Sequence, residues 1–120
     1  MTIREAITLA DEQKPNQVRK ELKIRWLSEL DGRVMCEIVS PRSCTDFVGY
    51  SPDVSDQTVL KVPYPYDAVY PAFIALNISR MNGEVAKCED YADICEEYLS
   101  GFRGFFARTT KATTRKLKYF

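Results

Sequence analysis

The chain has 120 residues, 17 basic and 17 acidic side chains, and 45% apolar content. That length suits one domain, able to bury about two-thirds of its unfolded surface. Zero net charge argues against a generic nucleic-acid coat, which needs a basic excess. No run approaches the ~20 apolar residues of a membrane span, and Met1-Thr2-Ile3-Arg4-Glu5 lacks the apolar core of a signal peptide, so the expected site of synthesis is the cytoplasm. Cys36, Cys44, Cys88 and Cys95 are too sparse for a disulfide framework and read as reduced thiols.

In chain order, Thr2 is placed to cap a first helix with Ile3, Ile7 and Ala10 along one side, and Glu5 completes a capping-box pattern. Lys14-Pro15-Asn16 ends it. Asn16 is then the expected cap of a second helix over about 17–39, where Val18, Leu22, Trp26, Leu30, Val34 and Ile38 recur every four residues with Leu27 beside them. Gly32, inside that pattern, marks a close contact or a bend. Pro41 stops the helix.

Residues 41–65 are punctuated by Pro41, Gly49, Pro52, Pro63 and Pro65 and lack helical periodicity. Thr58–Val62 has the composition of a short extended strand. The segment reads either as a packed excursion anchored by Phe47, Tyr50, Leu60 and Val62 or as an arm reaching a neighbouring subunit.

Asp67 is the expected cap of a third helix over about 67–82, with Pro71 tolerated in its first turn and Tyr70, Phe73, Ile74, Asn77, Ile78 and Met81 on its face. Asn82-Gly83 ends or kinks it. A fourth helix over about 84–107 carries Val85, Cys88, Ala92, Cys95, Leu99, Phe102 and Phe106 at alternating steps of three and four, a seam suited to packing along another helix. Tyr91, Tyr98 and Phe105 flank it at steps of seven, as core packing or as a subunit interface. Beyond residue 107, Arg108, Lys111, Arg115, Lys116 and Lys118 form a basic tail that ends on Tyr119 and Phe120, with threonine pairs that weaken helix. The expected organisation is therefore all-α: a bundle of about four helices over 1–107, a long irregular loop at 41–65, and the tail 108–120. Tyr91, Tyr98, Phe105, Arg108, Lys111, Arg115, Lys116, Lys118, Tyr119 and Phe120 are the candidate interface residues.

Chemistry is hard to find. Without histidine there is no His-based acid–base catalysis, no Ser–His or Cys–His pair and no His ligand. The cysteine spacings contain no C-x-x-C, and Cys88 and Cys95 fall on the apolar seam as small hydrophobes. Carboxylates such as Glu29, Asp31, Glu89, Asp90, Asp93, Glu96 and Glu97 read as solvated helix faces. No P-loop or G-x-G-x-x-G occurs. The expectation is a non-enzyme without cofactor or metal.

Two stretches carry a resemblance. Lys14-Pro15-Asn16 through Trp26-Leu27-Ser28-Glu29-Leu30-Asp31-Gly32, and Tyr66-Asp67 through Tyr70, Phe73 and Ile74 to Asn82-Gly83-Glu84, in this order and spacing, resemble the head-tail connector (head-completion or adaptor) proteins of tailed bacteriophages and prophages. The resemblance covers about residues 2–107. It implies a virion structural protein, made in the bacterial cytoplasm, that assembles as a homo-oligomeric ring. The ring would join the portal protein to a tail-side completion protein and let DNA pass without specific recognition. The middle loop and tail depart from the pattern, so the family's contact residues are not carried over. A small nucleic-acid-binding module or a helical protein–protein adaptor is the alternative.

Overall fold

The computed structural model describes residues 1–40 and 45–118, with side chains as far as residue 110. It is all-α. Four α-helices stand among the described residues: α1 (Ile3–Gln13), α2 (Lys20–Val34), α3 (Val69–Asn82) and α4 (Val85–Lys118). α2 runs on as a π-helical turn, Met35–Val39, and a 3-10 turn, Tyr66–Ala68, leads into α3.

α1 starts as its sequence indicates. Thr2 Oγ1 accepts from the Glu5 amide at 3.2 Å, and the same hydroxyl donates to Glu5 Oε1. Ile3, Ala6 and Ala10 are its buried side, with Ile7 only partly covered. α2 begins three residues later than expected from Asn16. That side chain is used in the linker instead: Oδ1 accepts from the Val18 amide, while Nδ2 donates to Asp11 Oδ1 and the Lys14 carbonyl. Arg19, at the start of α2, makes no side-chain cap. Asp67 likewise does not cap α3. Its carboxylate pairs with the Met1 amino group at 3.4 Å, and a 3-10 turn supplies the entry.

α3 is the centre of the molecule, packed on α1, α2 and α4. It is buried nearly all round from Val69 to Ser79, as a helix enclosed by other helices must be. Met81, placed on its face by periodicity, is 61% exposed because α3 has by then passed its neighbours. The helix ends at Gly83, left-handed at φ 72°. Glu84 N–H donates to the Ser79 carbonyl and Gly83 N–H to the Arg80 carbonyl, the paired bonds of a Schellman end. Trp26 and Phe102 are both buried in the core.

The loop is tied down rather than free. Ile3 N–H donates to Thr58 O at 3.0 Å and Leu60 N–H to Met1 O at 2.9 Å, an isolated antiparallel bridge in place of the expected strand. Leu60 and Val62 are buried, and Phe47 packs edge-on against Tyr50.

The deepest tie is Asp31, read from sequence as part of a solvated face and in fact 0% exposed. Tyr70 Oη donates to its Oδ1 at 2.5 Å, Tyr50 Oη to Oδ2 at 2.5 Å, and the Lys61 amide to Oδ2 at 3.2 Å. Tyr70 Oη in turn accepts from the Val62 amide at 2.6 Å. One carboxylate thus joins α2, α3 and two separate points of the loop, Tyr50 and Lys61. Its partners lie 19, 30 and 39 residues away, so no local spacing could reveal them. Burial raises the Asp31 pKa above its ordinary value, and the three donors and the Lys61 charge oppose that rise. The same burial, with the Asp31 charge, raises both tyrosines.

Candidate interaction surface

α4 is the element that leaves the body. Its 34 residues span about 51 Å at 1.5 Å per residue. The helix runs past its expected end near residue 107: the backbone stays helical through Lys118 despite the threonines, so the basic tail is helical as far as that residue.

Where α4 lies on α3, its seam is partly covered. Cys95 and Phe102 are buried, Cys88, Ala92, Leu99 and Phe106 are half-buried, and Val85 is 71% exposed at the first turn. Burial pushes the Cys95 thiol up to about 11, which leaves it protonated and inert. Cys88 is also a free thiol, but Cys36 is disulfide-bonded, against the expectation of reduced cysteines. Cysteine density bears on how many bridges a fold needs, not on the geometry of one.

Tyr66 fixes the middle of α4, and sequence reading gave it no such role. Its ring centroid lies 6.1 Å from that of Phe102 and 5.9 Å from that of Phe105. Gly101 makes the approach possible, since a Cβ there would sit 2.9 Å from Tyr66 Cε1. At its other end Glu84 holds the first turn. It pairs with Lys14 at 2.8 Å and Lys87 at 3.1 Å and accepts from Asn82 Nδ2 at 3.1 Å. These partners, Lys14 foremost, hold the Glu84 carboxyl down at about 2.

The candidate interface residues divide accordingly. Tyr91 and Tyr98 are half-buried against the core and belong to the seam's edge. Phe105 and Arg108 are exposed. Lys111, Arg115, Lys116 and Lys118 occupy helical positions of α4, and Tyr119 and Phe120 lie outside the described residues. Sequence reading missed the apolar groups shown by the loop, Val48 at 95% and Tyr64 at 86% exposure. Nothing local marks them, because the same composition fits an anchored loop residue.

Charge is segregated along the chain. All 17 acidic groups precede residue 98, and six of the 17 basic ones (Arg103, Arg108, Lys111, Arg115, Lys116 and Lys118) follow it. Within α4, exposed Glu89, Asp90, Asp93, Glu96 and Glu97 precede that basic half. None of these five carboxylates, nor Arg103 or Arg108, forms an ion pair among the described residues. α2 and α4 flank α3 and leave a shallow groove of about 570 Å³ between Glu29 and Arg33 on one rim and Cys95 and Glu96 on the other. Among the described residues, no group of three or more His, Cys, Asp or Glu is placed to hold a metal ion, and no helix is long and apolar enough to cross a membrane. Comparisons with family models, curated proteins and solved structures find no match to this chain.

Proposed function

We propose that this chain is a structural assembly subunit, a head-tail connector of a tailed phage or prophage that forms a ring between portal and tail. The observation that carries the reading is the projection of α4. Among the described side chains the last one packed against the core is Phe106, and the helix runs on to Lys118 as a basic arm beyond a body with an acidic excess. A subunit built this way works through surfaces. The arm fits an acidic, partly apolar partner such as a portal, and exposed Val48 and Tyr64 suit contact with a neighbouring subunit. The sequence words around Trp26 and Asn82-Gly83 supply the phage context.

Interrupting the gene in an inducible prophage tests the role. The expected product is filled heads that fail to join tails. Normal infectious particles would contradict it.

The basic half of α4 also favours a second reading, binding of nucleic acid. That reading requires duplex affinity in the free protein that falls steeply with salt, with a slope near −0.9 per phosphate contact. The acidic body opposes it.

A further inference from the structure

Among the described side chains of α4, Glu89, Asp93, Glu96, Ser100 and Arg108 are exposed and lie on one outward face, and the helix sequence along that face is complementary to itself when reversed. At about 100° per residue, positions 89, 93, 96, 100, 104, 108, 111 and 115 fall within an arc of about 120°, opposite the buried Cys95 and Phe102. One end of that arc is acidic (Glu89, Asp93, Glu96), the other basic (Arg108, Lys111, Arg115), and the middle is small (Ser100, Gly104). Arg108, lacking a carboxylate, lies back over Gly104, where a Cβ would stand 3.4 Å from Nη1.

We propose that two copies of this chain associate through this face as an antiparallel α4–α4 pair. Small residues at the crossing let two helices come close. With Ser100 of one copy beside Gly104 of the other, the register sets Glu96 against Arg108, Asp93 against Lys111 and Glu89 against Arg115. The two-fold axis repeats each pair. A contact of this kind is isologous and closes at a dimer. It is separate from any ring contact and does not depend on the connector reading. Its consequence is that the basic half of α4 is covered in the free protein and has to be released before it meets another acidic surface. Each pair is weak alone in water, so the association is salt-sensitive.

Sedimentation equilibrium of the full chain tests this. The dimer is expected at 0.1 M salt and at least about tenfold weaker dissociation constants at 1 M, as the screening length falls from about 10 Å to about 3 Å. Asp93→Lys and Lys111→Glu should each give monomer, and the double variant should restore the dimer. Both positions fall on that arc of α4, and unchanged helical circular dichroism with a cooperative unfolding transition will show that the variants fold. A parallel, staggered pairing would set Glu89 against Lys111 and Asp93 against Arg115, so the swap would not rescue it. A wild-type monomer at 0.1 M salt, an assembly larger than a dimer, or failure of the double variant to recover overturns the proposal.

Discussion

Asp31 is the residue on which the middle of the molecule depends. Its two tyrosine donors and one amide donor each come from a different part of the chain, so removing a donor leaves a buried acceptor short. Tyr70→Phe removes the hydroxyl that bonds both Asp31 and the Val62 amide, at an expected cost of about 1–3 kcal/mol, to be read from denaturant unfolding. Phe102→Ala, by contrast, opens a cavity under Tyr66 and should cost about 3–5 kcal/mol. Two carboxyls have opposite signs in acid. Asp31, raised, takes its proton before the unfolded chain does, so falling pH through its raised value toward 3.8 favours folding. Glu84, lowered to about 2 from 4.5, stabilises the fold above about 4.5 and loses that contribution as pH falls toward 2. The melting-temperature advantage of wild type over Glu84→Gln should therefore be full at pH 6, narrow below about 4.5 and vanish near 2.

At the scale of elements, two glycines separate space from conformation. Gly32 is helical, and a Cβ there would meet the Phe47 ring at an ordinary 3.9 Å. Gly32→Ala should gain up to about 1 kcal/mol. A Cβ at Gly83 meets nothing, but its φ of 72° is left-handed, so Gly83→Ala should cost about 1–2 kcal/mol. Thermal unfolding of the two variants checks the opposite signs. The Gly83 end was legible because Asn-Gly after a periodic run has a local cause, and so was the Thr2 cap. Asn16 and Asp67 looked equally like caps, yet Asn16 Oδ1 accepts from the Val18 amide in the linker, before α2 begins, and Asp67 pairs with the distant Met1 amino group. Periodicity found the seam of α4 but not its length, because threonine propensities are worth only fractions of a kcal/mol against a helix already nucleated. The Asp31 network and the Tyr66–Gly101 contact were invisible for one reason: both join residues far apart in sequence, and neither leaves a local pattern.

At the scale of the whole molecule, an acidic body and a basic arm share one continuous helix. Deleting residues 109–120 should leave the helical fold intact by circular dichroism, since Phe106 is the last described side chain packed against the core, while removing the positions that would meet a partner. A truncated protein that fails to fold would place those residues in the core instead. The proposed function requires the body and arm together to build a ring on a portal. Electron microscopy of the purified chain mixed with its portal tests that most directly. The expected result is a ring of this chain seated on the tail-facing end of the portal. A portal that stays bare at high concentrations of the chain would contradict it.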